Sequence, residues 1–360
     1  MKVLIIGLGY AGQRFLNAFN QLNHERSNSP QDAVEIACVN RSPVNRAIPA
    51  YADTVTALKN FIPDIVVISV TDGEHYNILH QLEGYRGFVI CEKPLVNRSD
   101  DLLRAGTSMQ STVGFGMDMV ERYSEVTQAL RNYIQEHDLT LARAHFIWGK
   151  DRINDHRRTS GAVSEIIHAL DLIEHVMGDV TCLEFCSAVG AYSDFSVSGP
   201  SILDSLYIGA RLNQAVVTGY SSFVNVVRQR TVDFVFNRPD GSNIYAHAVY
   251  DTPCWDSDQL TIRDPDRPED MPLVEMVTDN GAQDMGTPMI AKLTRLVRAA
   301  IDYTENGIQP DIPFCDLDNS LRLQQLLNLI ELEAISVGTY RIRGSRSPTT
   351  PNMRSAETLG

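Results

Sequence analysis

The chain has no apolar run near the roughly 20 residues that a helix needs to cross a bilayer, so no membrane span is expected. Positive charge is also short: 31 Lys and Arg against 45 Asp and Glu leave a net charge of −14. A field of that sign repels phosphate backbones and excludes general nucleic-acid binding, while local basic clusters stay free to hold small anions. Cysteine is scarce, with six residues scattered over the chain. No C-x-x-C pair occurs, which argues against a zinc or disulfide framework; buried or half-buried free thiols are expected. No cationic segment precedes a long apolar one at the start. Met1-Lys2-Val3-Leu4-Ile5-Ile6 therefore reads as a strand and not a secretory signal, and a cytoplasmic setting is expected.

What is present fits two domains in 360 residues, with an ordinary hydrophobic fraction of 43%. Val3–Ile6, Val34–Val39, Ile65–Val70 and Gly87–Cys91 are continuous apolar runs, as expected of strands covered on both faces. Helical patterns at Gln13–Leu22 and His75–Leu82 lie between them, which implies a doubly wound parallel sheet. Further along, helical patterns at 121–136 and 162–177 flank a strand, Leu141–Trp148. From Cys182 to Ile262 the period approaches two, with Pro239-Asp240-Gly241 as a turn, and predicts an open, mostly antiparallel sheet. Helical periodicity returns over 286–304 and 317–336. The expected class is α/β plus α+β: a cofactor domain over 1–118 and a substrate and oligomerisation domain over 119–342. The C-terminal helices are expected to pack back towards the first domain, and 343–360 to form a flexible tail.

Gly7-Leu8-Gly9-Tyr10-Ala11-Gly12 follows the first strand and opens a helix, the context that gives a G-x-G-x-x-G loop its meaning. The first glycine permits a tight turn, the second lets a diphosphate approach the backbone, and the third lets helix and strand pack closely. This predicts a Rossmann domain, with Gly7, Gly9, Tyr10, Ala11 and Gly12 around a dinucleotide. At the end of the second strand, Asn40-Arg41-Ser42 replaces the carboxylate that an NAD site uses to accept from the ribose 2′-OH. Arg41 can pair with a 2′-phosphate while Asn40 and Ser42 donate to it, so NADP(H) is expected over NAD(H).

Glu92-Lys93-Pro94 follows the strand that ends at Cys91, at the edge where ligands of such sheets bind. With the glycine loop and Thr71-Asp72-Gly73-Glu74-His75, this pattern resembles the Gfo/Idh/MocA oxidoreductases, glucose-fructose oxidoreductase and inositol dehydrogenase among them. The resemblance covers about residues 1–340. It implies that Thr71, His75, Glu92 and Lys93 line the cofactor, and that Lys93 stands beside the nicotinamide as the catalytic ammonium. The segment Gly114–Tyr123 looks like the family's passage into the substrate domain, and the resemblance implies that its Glu121 and Arg122 contact substrate. The likeness also implies a homodimer or homotetramer assembled through the open sheet.

In the second half, Ser164, His168, Asp171 and His175 share a narrow stripe at 100° per residue. The family resemblance implies that His168 works with Lys93 in proton transfer and that Asp171 contacts substrate. Glu165 takes the place of a catalytic carboxylate, although many members have it four residues before the histidine, where this chain has Ser164. His168, Asp171 and His175 also have spacings that can converge on a metal, but nicotinamide chemistry with Lys93 requires none, and none is expected. The loop before this helix carries Arg152, Arg157 and Arg158, which suggests a small anionic substrate. The expected activity is hydride transfer between nicotinamide and a carbinol or keto carbon of a sugar, nucleotide-sugar or cyclitol. The alternatives are reduction of an imine or conjugated double bond, or a non-catalytic NADP-binding regulatory role.

Overall fold

The continuous apolar runs near the N-terminus form strands whose residues, apart from the first of two of them, are buried. The structure is a computed structural model that describes residues 1–26, 33–41, 48–152, 158–179, 181–196, 202–268, 271–279 and 290–342. The expected tail from Arg343 lies outside these residues. In chain order the elements begin with β1 (Lys2–Ile6), α1 (Tyr10–Glu25), β2 (Glu35–Val39), β3 (Ala50–Tyr51), α2 (Thr54–Phe61), β4 (Ile65–Ile68), α3 (His75–Gln81), β5 (Phe88–Cys91), α4 (Leu102–Met109) and β6 (Gly114–Met117). A 3₁₀ turn at Val120–Tyr123 leads to α5 (Glu125–Glu136), β7 (Thr140–Asp151) and α6 (Val163–Val176). Then come β8 (Leu183–Ser193), β9 (Ile202–Leu212), β10 (Ala215–Ser222), β11 (Val224–Asn237), β12 (Asn243–Val249), β13 (Ser257–Arg263) and β14 (Val274–Asp279). The described chain closes with α7 (Ala291–Asn306), α8 (Leu317–Glu333) and β15 (Ile335–Tyr340).

Contacts divide the chain into two units: Met1–Tyr123 with Met289–Gln325, and Ser124–Pro288 with Leu326–Gly360. The first is built on a parallel sheet of order β3-β2-β1-β4-β5-β6, the doubly wound arrangement, in which ligands bind outside the carboxyl ends of the strands. Asn23 ties off the first crossover: its side chain accepts from the Val34 N–H and donates to the Val34 carbonyl, at 2.7 and 2.9 Å. Two helices that periodicity does not reveal, α2 and α4, each start at an aspartate. Asp53 accepts from the N–H of Thr56 and Asp101 from that of Arg104, which supplies the capping that such short helices need. Although α7 lies far along the chain, it belongs to this unit. Its Leu293, Leu296, Val297, Ala300 and Ile301 complete the core around Phe15, Phe19 and Leu22 of α1.

The second unit carries a nine-stranded sheet of order β14-β13-β12-β11-β7-β10-β9-β8-β15. It is mixed: β10 pairs parallel with β7 and β15 with β8, while the remaining neighbours are antiparallel. The helices α5 and α6 pack on one face. The other face leaves Tyr207, Val216, Tyr245 and Val277 exposed. The Pro239-Asp240-Gly241 turn joins β11 to β12, with Gly241 at φ +86°. The last helix ends at Glu333, short of the expected 336, because Ile335-Ser-Val-Gly-Thr-Tyr340 has the β-branched content of a strand and adds to the sheet edge. A second correction concerns the thiols. Cys38, Cys91 and Cys315 are buried and Cys254 half-buried, but Cys182 and Cys186 are exposed. Cys182 precedes β8, and a register shift at Phe185/Ser187 breaks that strand's alternation around Cys186. Among the described residues, no helix is long and apolar enough to cross a membrane.

On the open face His247 donates to Asp233 at 2.6 Å, across paired positions of β12 and β11. This hydrogen bond holds the Asp233 carboxyl below its usual value, with the His247, His145 and Arg143 charges acting in the same direction. A depressed carboxyl contributes stability above the unfolded value of about 3.9, and loses it as pH falls through the folded value. Asp233→Asn should therefore lower the urea midpoint slightly at neutral pH and converge with wild type in strong acid; parallel curves at every pH contradict the linkage.

Candidate cofactor and substrate sites

The glycine loop turns where β1 meets α1. Gly7 sits at φ +92°, where an L side chain is strained, and its N–H donates to the Val39 carbonyl at 2.9 Å. A Cβ on Gly12 would run into the Gly7 carbonyl oxygen, so helix and turn can approach this closely only with glycine there. Ser69, just beyond β4, donates its hydroxyl to that same carbonyl at 2.8 Å and locks the loop from below. Gly9 differs from both, since a Cβ there would meet no atom within 4 Å. It is the N-cap of α1, no side chain caps the helix, and no acidic residue occupies its first turn. Tyr10 is exposed and Ala11 half-buried beside it. Open space over Gly9 in front of uncapped N–H groups fits the diphosphate of a dinucleotide.

At the end of β2, the Asn40 side chain accepts from the Leu8 N–H at 3.1 Å and so braces the loop. Arg41 extends into solvent, its side chain 85% exposed, and meets Glu74 at 3.2 Å. Ser42 lies outside the described residues. Thr71 is exposed and caps a short 3₁₀ turn that brings in Glu74 and His75. His75 is fully buried, with one ring nitrogen 2.7 Å from the Pro94 carbonyl and the other 3.2 Å from that of Val70. It clamps the Glu92-Lys93-Pro94 turn to the end of β4. Gln324 holds the same turn further on, accepting from the Val96 N–H at 3.2 Å.

Lys93 is half-buried on this turn, and Glu92 before it is half-buried as well. Beside them lies a group of acids that no sequence motif marks. Asp118 directly follows β6 and is 4% exposed. Its carboxyl is held well above the usual range by burial, then by the neighbouring Glu92 charge, with Arg14 opposing. Burial raises the Cys91 thiol too, and Glu92 and Asp118 add to the effect. The signal available in sequence is position alone, because Asp118 ends a parallel strand at the same edge as Glu92. Glu121 and Arg122 are buried in the 3₁₀ turn, and Arg122 donates to the Pro313 and Phe314 carbonyls, both at 3.3 Å. That fixes the return of the chain into this unit.

In the second unit, every residue of α6 is buried, so the polar stripe has no solvent face. The polar residues of the helix separate by partner. One oxygen of Glu165 accepts from Lys150 at 2.6 Å and the other faces Arg230 at 3.8 Å. Arg230 also pairs with the buried Asp251. The Arg230 guanidinium lies over the rings of Trp148 and Trp255, 5.2 and 5.0 Å from their centroids. His168 stacks on Trp148 with centroids 5.9 Å apart and planes 19° from parallel. His175 meets Asp179 at 2.9 Å and Arg131 at 3.1 Å. Asp171 is 1% exposed. Of the basic loop, Arg152 lies over Phe223 at 4.7 Å, Arg158 is exposed, and Arg157 is outside the described residues. Among the described residues, no group of three His, Cys, Asp or Glu is arranged to hold a metal ion. Lys150, Trp148, Arg230 and Asp251 are not among the expected site residues, since they converge only through strand pairing.

The family model described as "Oxidoreductase family, NAD-binding Rossmann fold" (GFO_IDH_MocA) matches residues 1–115. No curated protein matches the chain by sequence. Solved structures share the fold over nearly the whole chain. KijD10, a 3-ketoreductase from Actinomadura kijaniata in complex with NADP and TDP-benzene, is 14% identical with a TM-score of 0.69, covering 94% of this chain and 99% of that one. Levoglucosan dehydrogenase, in complex with NADH and L-sorbose, is 15% identical with a TM-score of 0.70, covering 93% and 96%. An oxidoreductase domain protein from Kribbella flavida is 15% identical with a TM-score of 0.70, covering 92% and 96%. The strand order, the glycine loop and the Glu-Lys-Pro turn agree with that match, and residues 1–115 form a doubly wound parallel sheet similar to the NAD-binding Rossmann fold of that oxidoreductase family.

Proposed function

We propose that this chain is an NADP(H)-preferring oxidoreductase that moves a hydride between nicotinamide and a carbinol or keto carbon of a sugar, nucleotide-sugar or cyclitol. The observation that carries this reading is Lys93, presented at the carboxyl edge of the parallel sheet on a turn clamped by His75 and Gln324. Bound NADP(H) supplies or accepts the hydride. The Lys93 ammonium stabilises negative charge on the reacting oxygen and exchanges a proton with it. His168, the least buried of the four polar-stripe residues, is assigned to the substrate oxygen. Glu165 is a positioning residue in this reading, because Lys150 and Arg230 already occupy its oxygens. The nucleotide-linked and free-sugar ligands of KijD10 and levoglucosan dehydrogenase support the substrate class. Residues 1–118 serve the cofactor, and 119–342 the substrate and a homodimer or homotetramer.

The NADP(H) preference rests on Arg41, with Glu74 as its competitor for a 2′-phosphate. A hydrogen bond to a charged group contributes about 1.5–3 kcal/mol. Arg41→Ala should therefore weaken NADPH binding by roughly tenfold or more and leave NADH nearly unchanged. Glu74→Gln should tighten NADPH. Fluorescence titration of both nucleotides checks this, and an Arg41→Ala protein that binds NADPH as wild type does removes the assignment. For the reaction itself, NADPH oxidation is followed against ketosugars, nucleotide-linked ketosugars and cyclic imines. Turnover confined to the imines overturns the sugar reading.

A further inference from the structure

The polar wall beside α6 continues past the residues that the proposed reaction uses. His168 stacks on Trp148, and the Arg230 guanidinium lies over both Trp148 and Trp255. Beyond them the Arg228 guanidinium lies over Trp255, 4.2 Å from its centroid. His168 and Arg228 are thus the two ends of one stack, and every member belongs to the second unit. His168, Trp148 and Arg230 are buried, whereas Trp255 and Arg228 are half-buried. Arg228 reaches this place through an irregularity of β11. Val224 pairs with Asp151 and Gln229 with Gly149, so four residues, 225–228, stand opposite Lys150 alone. A bulge of this kind bends its strand and re-aims a side chain. Its start is pinned, because the Tyr220 hydroxyl donates to Asn225 at 3.1 Å and a Cβ on Gly149 would collide with the Asn225 amide. Val226 and Val227 are exposed on the bulge. Trp255 is held by its own loop, which the Thr252 N–H closes onto the Ser257 carbonyl at 2.9 Å and the Asp256 N–H onto Asp251 at 3.0 Å. Asp251 also pairs with Arg230, so one carboxylate fixes both the loop and the stack.

We infer that Arg228 is a specificity-determining residue that binds a phosphate group carried by the substrate, and that Trp255 positions it. The inference rests on the assignment of His168 to the substrate oxygen made above. Because Arg228 stands at the far end of the stack, the phosphate it meets is remote from the reacting carbon. A guanidinium laid on an aromatic face keeps its five N–H groups in one plane, a fork that matches phosphate oxygens. Arg152, next after the residue that pairs with Val224, brings a second guanidinium to the same strand end. A phosphate monoester carries about two negative charges at neutral pH and so suits two such cations. The net charge of −14 opposes an anionic ligand elsewhere on the chain, so its recognition needs cations placed at the site.

Calorimetric titration of the full chain with inorganic diphosphate tests this, with NADP(H) saturating so that the glycine loop is filled. Wild type should bind the probe, and Arg228→Gln should weaken that binding roughly tenfold or more, the scale of a hydrogen bond to a charged group. Arg228→Lys keeps the charge but loses the fork, and should fall between the two. Trp255→Phe keeps a ring beneath the guanidinium and should restore most of the binding that Trp255→Leu loses. Arg211→Gln, from the exposed pair with Glu184, is the control for loss of one positive charge. Diphosphate that fails to bind wild type, or binds Arg228→Gln equally well, overturns the inference. An equal loss in Arg211→Gln overturns it too, because a diffuse field and not a site is then responsible. Glucose 6-phosphate and UDP-glucose, each titrated against glucose, separate a phosphate monoester from a nucleotide-linked diphosphate. The form that loses more of its advantage over glucose in Arg228→Gln is the one that Arg228 reads. Failure of the hydride-transfer reading shows differently: no sugar is then turned over, while diphosphate binding still depends on Arg228.

Discussion

Lys93→Ala should lower turnover by roughly 10²–10⁴-fold, the usual contribution of a positioned proton-transfer group, while NADPH binds almost as it does to wild type. The two effects separate because they rest on different parts of the fold. In the proposed reading, binding of the diphosphate depends on the Gly7–Gly12 loop and the N-terminus of α1, which Ser69 and Asn40 hold in place. The Lys93 turn depends on His75 and Gln324 through backbone atoms, so removing the side chain leaves its path intact. Lys93→Arg should not rescue turnover, since a guanidinium stays charged at any pH that a protein survives. Stopped-flow measurement of NADPH oxidation alongside a nucleotide titration decides the matter. Equal turnover by wild type and Lys93→Ala would sink the catalytic assignment, and loss of NADPH binding sufficient to explain all the lost activity would sink it as well.

Arg230→Ala should destabilise the protein by about 3–5 kcal/mol, because it removes the buried cation that faces both Glu165 and Asp251. Arg230 is 3% exposed, stands between Glu165 and Asp251, and lies over two tryptophan rings. Its loss removes the cation and the filling of that space together. Arg104→Ala is the control: Arg104 meets Glu83 at 2.6 Å, but both side chains are more than a third exposed. Exposed pairs of this kind contribute less than about 1 kcal/mol. Urea denaturation of the two variants should differ several-fold in the loss of stability. Comparable losses would show that the ion-pair chain under α6 is not what holds this part of the second unit.

Much of the first unit is legible in the order of its residues. Strands buried on both faces must be apolar throughout, and this is why Val3–Ile6 and Ile65–Ile68 stand out in one dimension. The glycine loop is legible for a similar reason, since its geometry comes from residues adjacent in sequence. Short helices are harder. Seven or eight residues carry too little periodicity, and the capping aspartates Asp53 and Asp101 are the better signal for α2 and α4. In the second unit, alternation predicts strands, but neither their order nor the parallel pairing of β10 with β7 follows from it. The edge strand β15 reads at its start as the end of a helix, because the apolar residues before it continue the spacing of α8.

The polar stripe on α6 shows where a helical wheel stops being informative. Spacing places Ser164, His168, Asp171 and His175 along one side of the helix, with Glu165 beside them, but what each does depends on residues far away in sequence. Glu165 meets Lys150 and Arg230, His168 meets Trp148, and His175 meets Arg131 as well as the nearby Asp179. Arg122, expected at the substrate, donates to two backbone carbonyls almost two hundred residues on, a relation no local pattern reveals.

The amino-acid order by itself determined the dinucleotide loop, the lysine at the strand edge and the existence of two differently patterned halves, because each is a property of neighbouring residues. Only the tertiary structure decided which carboxyls lie together, which cations are already held, and which helix late in the chain completes the first core. Those outcomes depend on distances through space that burial and strand register fix. Two acids 26 positions apart in the chain become neighbours solely because β5 and β6 are paired.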